Sequence, residues 1–163
     1  MKKHIAIVIT RLDLGGAQKI ALYLAEKLDR KKFEVFLIAG AGGYLDSQAA
    51  KLKGVKIILM PELKHPISLF DDMKAVSTLT KFFTDNKIDI VHTHSSKAGI
   101  IGRLAAKFAG VKNVIHTVHG FSFHEYQNPV IHAMYVVLEK LAAPWTNTLV
   151  AVGQDVIKYG LKK

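Results

Sequence analysis

Short runs of apolar, often β-branched residues recur along this chain of 163 residues, and a segment with helical spacing follows each of them. The runs are almost continuously apolar, which is typical of strands that are buried on both faces of a sheet. Strands are predicted over 4–10, 33–40, 55–60, 88–93, 112–118 and 147–152, with helices over 17–28, 44–53, 68–86, 96–109 and 128–143. The alternation predicts an α/β fold, a doubly wound, mainly parallel sheet with helices on both faces.

Composition narrows the class of protein. Half of the residues are hydrophobic and 22% are charged, which excludes a disordered chain. The chain contains no cysteine, so a disulfide framework and a cysteine-based zinc site are both excluded. With no internal repeat and no linker, residues 1–163 are predicted to form one Rossmann-like domain.

Neither a membrane span nor a leader segment is predicted. No stretch approaches the roughly 20 apolar residues that cross a bilayer, and Arg11 and Asp13 interrupt the first apolar run. A cytoplasmic protein is expected. The net charge of +10 has three open explanations: solubility, an anionic membrane surface, or a phosphate-bearing ligand. No motif for binding nucleic acid is present.

Such a sheet binds ligands at the carboxyl ends of its strands, beside the point where the strand order reverses. In the common order that point lies between the first and fourth strands. The adjoining loops are "LDLGGAQ" (12–18) and "HTHSSKAG" (92–99), with the loop from 119 beside them. Four histidines are therefore expected near one crevice: His92, His94, His116 and His119.

Gly15 and Gly16 precede the first helix. Two glycines allow a sharp turn and a close approach of a ligand, and the helix N-terminus offers free N–H groups to a phosphate. The alternative is a turn that only starts a helix. A dinucleotide site is not expected, because the third glycine of its motif is missing and Ala39 and Gly40 end the second strand without an acid.

The histidines have two interpretations. His92 and His116 are predicted to be buried side chains that are bonded to the backbone. His119 precedes Gly120 at a strand end, so its imidazole is predicted to point into the crevice and to take part in function. A metal site is not expected, because no carboxylate accompanies the imidazoles in these segments.

Ser95, Ser96 and Lys97 stand at the predicted start of the fourth helix. They suit recognition of hydroxyl or phosphate groups, and a capped helix is an equal alternative. Arg103 on the same helix is predicted to be solvated. Segment 119–145 is rich in apolar and aromatic residues. It is predicted to be core or cover, or else a lipid-facing surface with Phe121, Phe123 and Tyr126 exposed and Glu125 as a weak candidate base.

Three segments together resemble the N-terminal domain of family 4 glycosyltransferases, two-domain GT-B enzymes, and in particular those that build bacterial surface polysaccharides. They are "TRLDLGGAQKIALYLAEKL", "IDIVHTHSSKAGIIGRLAAKFAGVKNVIHTVHGFSF" and "LVAVGQDVIKYGL", and the resemblance covers essentially the whole chain. Its most specific parts are the glycine pair, "HTHSSKAG" and "HTVHGF".

The resemblance implies transfer of a sugar from a nucleotide-sugar to a lipid-linked or other glycan acceptor, with retention of configuration and without a metal or other cofactor. It implies that Gly15 and Gly16 approach the donor diphosphate and that His119 is catalytic, reaching the donor sugar. The acceptor side is assigned to His94, Ser95, Ser96, Lys97 and Phe121. The resemblance also implies a peripheral membrane protein that acts at the anionic inner face of the cytoplasmic membrane.

One departure from the family pattern matters. The donor-binding C-terminal domain, with two glutamates separated by seven residues, does not occur in this sequence. Residues 1–163 alone are therefore expected to lack transferase activity. Two alternatives stay open: a non-catalytic half that docks a separate donor-binding subunit, and part of a nucleotide-sugar epimerase, for which Asp13 and Glu125 are the obvious carboxylates.

Overall fold

The computed structural model describes residues 1–64, 66–121 and 128–162. Its strands are β1 (Lys3–Arg11), β2 (Phe33–Gly40), β3 (Val55–Met60), β4 (Ile90–His94), β5 (Asn113–Val118) and β6 (Thr148–Ala151). Its helices are α1 (Gly16–Lys27), α2 (Asp46–Ala49), α3 (Leu69–Asp85), α4 (Ser96–Phe108), α5 (Pro129–Ala142) and α6 (Gln154–Leu161), with one 3₁₀ turn at Ala143–Trp145.

The six strands form one parallel sheet in the order β3-β2-β1-β4-β5-β6. This confirms the predicted α/β class and the doubly wound arrangement. Because β1 pairs with β2 on one side and with β4 on the other, the strand order reverses between β1 and β4. The loops that follow these two strands diverge there, and the crevice that opens is the one expected for a ligand.

Two apolar layers cover the sheet, one on each face. In β1, Ala6 and Val8 join the layer that contains α3 and α4, whereas Ile5, Ile7 and Ile9 join the layer that contains α1. Successive side chains of a strand point to opposite faces of the sheet, and here neither face is in contact with water. This accounts for the continuous apolar runs in the sequence.

Arg103 contradicts the prediction that it is solvated. Its side chain is 1% exposed. Its Nε donates a 2.8 Å hydrogen bond to the carbonyl of Gly99, and its Nη2 donates one of 2.6 Å to Glu139 on α5. Since α5 covers this side of α4, the guanidinium crosses an interface between two helices rather than facing water.

Replacing Arg103 with methionine is expected to lower the free energy of unfolding by about 3 kcal/mol, because Glu139 would keep its charge in a mostly buried position without a partner. Chemical denaturation followed by circular dichroism measures the change. Lys81→Met removes an exposed ion pair with Asp85 and is the matched control, with an expected change of about 0.5 kcal/mol or less. A double variant, Arg103→Met with Glu139→Leu, should recover much of the loss. A loss of stability no larger for Arg103→Met than for Lys81→Met would contradict the prediction.

Candidate active site at the carboxyl edge of the sheet

Three histidines, two on β4 and one just beyond β5, form one continuous row of rings. The centroids of His92 and His94 are 4.4 Å apart, and those of His94 and His119 are 5.2 Å apart. His92 and His94 share a face of β4 because they are two residues apart, and Thr117 pairs with His94 in the register, so His119 follows on the same side. We call His92, His94 and His119 the imidazole row.

Hydrogen bonds hold the row in place. His94 Nδ1 and His119 Nε2 are 2.9 Å apart, and His92 Nε2 lies 2.8 Å from the hydroxyl of Thr117. His94 is fully buried, whereas His119 is half-buried at the crevice. Within the described residues, the second ring nitrogen of His94, Nε2, has no hydrogen-bond partner. The fully buried His94 therefore lies between two half-buried histidines, of which His119 is the one at the crevice.

Burial keeps these imidazoles neutral. Burial lowers the pKa of His94 to about 2 and the pKa of His92 to about 4, and the neighbouring imidazoles account for a smaller part of each shift. Burial also lowers the pKa of His119. At neutral pH the row thus offers hydrogen-bond donors and acceptors rather than positive charge.

His116 lies on the other face of β5 and belongs to the packing beneath the site. It is 2% exposed, and its Nδ1 is 2.9 Å from the hydroxyl of Thr93. Burial lowers its pKa to about 3, with a further contribution from Arg103. His116 is thus buried, as predicted, and His92 is half-buried, but the rings of both are bonded to threonine hydroxyls and not to the predicted backbone groups.

Ser95 does not cap α4 through its side chain, which was one of the two alternatives for this segment. Its side chain accepts no hydrogen bond from α4; instead its Oγ lies 2.7 Å from Oγ1 of Thr10 on β1. That same Thr10 oxygen accepts a 3.2 Å hydrogen bond from the N–H of Ala98, so β1 caps α4. Ser95 has φ +62° and ψ 152°, a conformation almost confined to glycine, and such strain is concentrated at functional sites.

The other residues assigned to the acceptor side, Ser96, Lys97 and Phe121, lie outside the imidazole row. Lys97 is half-buried and forms a 2.6 Å ion pair with Asp72 of α3, so its ammonium joins α4 to α3. Ser96 is half-buried as the first residue of α4. Phe121 packs on α6, with its ring centroid 5.9 Å from that of Tyr159. Phe123, Glu125 and Tyr126 lie outside the described residues.

Gly15 and Gly16 leave the start of α1 open, but not through an unusual turn. Gly15 has φ −162°, extended backbone that any residue adopts. No side chain caps the helix and no acid lies in its first turn. A Cβ at Gly16 would meet nothing within 4 Å. The accessible N–H groups of this helix end can therefore receive an anion at the crevice.

A row of exposed lysines lies at the edge of the sheet opposite the site. Exposed lysines precede or begin five of the six strands: Lys2, Lys3, Lys31, Lys32, Lys53, Lys87 and Lys112. Strands of a parallel sheet all begin at one edge, so these lysines line the amino edge. Near the carboxyl edge, Lys64 is paired with Asp71. Seven of the 23 lysine and arginine residues thus lie at the edge away from the crevice.

A cavity of about 450 Å³ lies between α4, α5, β6 and α6. Its lining is apolar apart from Lys140 and the pair of Arg103 and Glu139, and it includes Phe121. The imidazole row does not line it. This cavity offers mainly apolar packing surface, and its carboxylate, Glu139, is paired with Arg103.

The part of the chain that the structure describes contains neither a metal-binding cluster nor a membrane-spanning helix. Among residues 1–64, 66–121 and 128–162, no three histidine, aspartate or glutamate side chains are arranged to hold a metal ion. The facing nitrogens of His94 and His119 are bonded to each other, so neither is directed at a common ion. In the same ranges, no helix combines the length and the apolar character of a membrane span.

Comparison with known proteins shows the family to which this chain belongs. The Glycosyltransferase Family 4 sequence model matches residues 14–162. An Escherichia coli relative, UDP-Gal:alpha-D-GlcNAc-diphosphoundecaprenol alpha-1,3-galactosyltransferase, is 41% identical over 146 residues, 87% of this chain and 36% of that protein. CapM of Staphylococcus aureus, a capsular polysaccharide biosynthesis glycosyltransferase, is 25% identical over 130 residues, 80% of this chain and 33% of that protein. The chain thus spans about a third of these relatives.

The fold is also that of a solved enzyme. A glycosyltransferase from Rickettsia africae superposes with a TM-score of 0.74 at 19% identity, covering 100% of this chain and 40% of that one. At this identity the likeness shows the fold alone. Because the family match extends over most of the chain, from Leu14 in the first segment that carries the resemblance through all of the other two, this chain belongs to glycosyltransferase family 4 and has the fold of one half of a GT-B enzyme.

Proposed function

We propose that this chain is the acceptor-side domain of a retaining glycosyltransferase. It takes a sugar from a nucleotide-sugar and transfers it to a lipid-linked or other glycan acceptor, in the synthesis of cell-surface polysaccharide. The observation that carries the proposal is the imidazole row, which ends at His119 in the crevice beside the open start of α1. The E. coli relative acts on a diphosphoundecaprenol-linked sugar, which supports a lipid-linked acceptor.

The site has groups suited to both ends of a sugar diphosphate. A neutral imidazole recognises hydroxyl groups and oxygen atoms of a sugar without a charge to desolvate. The N-terminus of α1, with Gly15 and Gly16, stabilises negative charge as the diphosphate leaves. Stabilisation of this kind requires no metal, and none is included in the proposal.

The remainder of the donor site is proposed to lie in a second domain. The chain spans about a third of its curated relatives, and the nucleotide-binding groups of the family are expected in the other part. That domain is supplied in the same polypeptide or by a partner subunit. Residues 1–163 alone are expected to hold the acceptor and not to turn over the donor.

The domain is proposed to bind the membrane surface through exposed apolar side chains and not through its net positive charge. Ile67, Leu69, Phe70 and Met73 are 55–81% exposed, in the segment after β3 and the start of α3. This segment lies at the same edge of the sheet as the imidazole row. The nearby lysines are neutralised by acidic partners, as Lys64 is by Asp71, so insertion of apolar groups would dominate.

A transfer assay on the complete protein that contains residues 1–163 tests the function. UDP-galactose with GlcNAc-diphosphoundecaprenol, the substrates named for the E. coli relative, is the first pair. His119→Ala is expected to lower turnover about a hundredfold or more, because it removes a hydrogen bond to the reacting sugar. His4→Ala, at the opposite edge of the sheet, is the control and should stay active.

Two results would contradict the proposal in different ways. Full activity of the His119→Ala protein, with a circular dichroism spectrum like that of the unaltered enzyme, would exclude the role of His119. Binding of nucleotide-sugars without transfer to any lipid-linked or free glycan, or conversion of the donor sugar to its epimer, would exclude the transferase.

A further inference from the structure

The geometry points to His94 as a positioning residue that holds His119 in the tautomer with its proton on Nδ1. In this arrangement His94 Nδ1–H donates to His119 Nε2. His119 then presents its own Nδ1–H, as a donor, to an oxygen of the bound sugar. The identity of that ligand rests on the proposed function, but the tautomer does not.

Only two neutral arrangements of the pair are available across the 2.9 Å separation. In the first, His94 Nδ1–H donates to His119 Nε2, and His94 Nε2 carries a lone pair. In the second, His119 Nε2–H donates to His94 Nδ1, and His94 must carry its proton on Nε2. The two arrangements differ in what is left at His94 Nε2, which is buried and without a partner among the described residues.

The first arrangement is the less costly one. A buried N–H group without an acceptor is among the rarest features of native proteins and costs about 1–3 kcal/mol. A lone pair in the same place costs less, because native proteins leave buried acceptors under-satisfied more often than buried N–H donors. His94 is 0% exposed, so water does not remove the difference.

Burial supports the choice of neutral arrangements. The pKa of His94 lies near 2 and that of His119 is lowered, so a shared positive charge is absent at neutral pH. His119 Nε2 is occupied by His94 and cannot accept a proton from a substrate. His119 is therefore a hydrogen-bond donor toward the ligand and not a general base through Nε2.

The arrangement also explains the spacing of the two histidine-rich segments. In "HTH" the second histidine lies at the end of β4 opposite Thr117, and in "HTVH" the last histidine lies two residues beyond Thr117. Both spacings keep the side chains on one face, so His94 and His119 are diagonal neighbours. Each segment contributes one member of the bonded pair.

Long-range ¹H–¹⁵N NMR of the imidazole nitrogens reads the tautomer directly, on ¹⁵N-labelled chain of residues 1–163 at pH 7.5. We expect a protonated Nδ1 and an unprotonated Nε2 on both His94 and His119, assigned with the single variants His94→Leu and His119→Ala. Free imidazole side chains prefer the proton on Nε2, so the expected pattern is not the default. A protonated Nε2 on His119 would overturn the inference, and the spectrum of the unaltered chain decides this even if a variant does not fold.

Two substitutions of His94 separate positioning from packing. Asparagine places its amide N–H near the position of Nδ1, whereas leucine fills the space without a donor. His94→Asn should keep His119 in the Nδ1–H tautomer; His94→Leu should release it to a mixture. In the complete enzyme, His94→Leu should lower kcat about tenfold or more with little change in KM, and His94→Asn should restore most of it.

A merely structural role predicts the reverse order, because leucine would preserve the packing better than asparagine. An active leucine variant with an impaired asparagine variant would therefore overturn the inference. If the unaltered enzyme transfers no sugar at all, the proposed function fails, while the tautomer of His119 is still decided by the NMR spectrum.

Discussion

At pH 5 the free energy of unfolding of this chain is expected to be about 6 kcal/mol lower than at pH 7.5. The cause is the neutral, buried state of His92, His94 and His116, whose pKa values in the fold are about 4, 2 and 3. In the unfolded chain each imidazole has a pKa of roughly 6.5. Below that pH the unfolded state binds more protons, so stability that is fully present above pH 6.5 is lost as the pH falls.

Each of the three histidines contributes about 1.4 kcal/mol per pH unit below pH 6.5, so the combined slope approaches about 4 kcal/mol per pH unit. Small domains have a free energy of unfolding of about 5–15 kcal/mol, so a loss of this size is enough to unfold a chain at the lower end of that range near pH 5. Urea titrations followed by circular dichroism, at pH 7.5, 6.5, 5.5 and 5.0, measure the slope. A flat profile would mean that the imidazoles take up protons within the fold, which contradicts their burial.

Substitutions show which histidines cause the pH dependence of the free energy of unfolding. His116→Asn should reduce it by about a third, because one titrating group is removed. Thr93→Val is the matched control: it removes the hydroxyl that lies 2.9 Å from His116 Nδ1 but leaves the imidazole in place. It should lower stability at every pH without changing the slope.

Gly40→Ala is expected to lower the free energy of unfolding by more than about 4 kcal/mol, or to prevent folding. A Cβ at Gly40 would lie 1.9 Å from the carbonyl oxygen of Leu63 and 2.5 Å from that of Thr10. Overpacking usually costs about 1–3 kcal/mol, since side chains can rotate away. Here the obstructing atoms are backbone on both sides of the end of β2, and relief requires the strands themselves to separate.

Gly16→Ala is the control for Gly40→Ala, because the added Cβ meets nothing within 4 Å at the first residue of α1. Its stability should change by about 0.5 kcal/mol or less, or rise slightly, since alanine is a better helix former than glycine. Thermal unfolding of both variants beside the unaltered chain gives the comparison. Unaltered stability of the Gly40→Ala chain would contradict the close packing at the end of β2.

The secondary structure was predictable because its causes are local. Strands that are buried on both faces must be apolar at nearly every position, and helices between them repeat every three to four residues. The six strands, the main helices and the position of the crevice follow from this pattern and from the ordinary order of a doubly wound sheet. The glycine pair and three of the four histidines could be assigned to that crevice for the same reason, whereas the expectation for His116 was wrong, because its side chain lies on the opposite face of β5.

The partners within the site were not predictable, because they are distant in sequence. Thr10 caps α4 across 88 residues, and Lys97 pairs with an acid on another helix. Arg103 is buried only because α5 covers α4, and nothing in the spacing of α4 alone indicates that cover.

The amino-acid pattern alone therefore determines the α/β sheet, the crevice at its carboxyl edge and the histidines that stand there, since periodicity and strand ends are properties of neighbouring residues. Tertiary structure alone decides which of those histidines bond to each other and which are buried. Register between β4 and β5 brings His94 within 2.9 Å of His119 and leaves His116 on the opposite face. Hydrogen bonds and desolvation depend on such distances, and distances between strands arise only when the chain is folded.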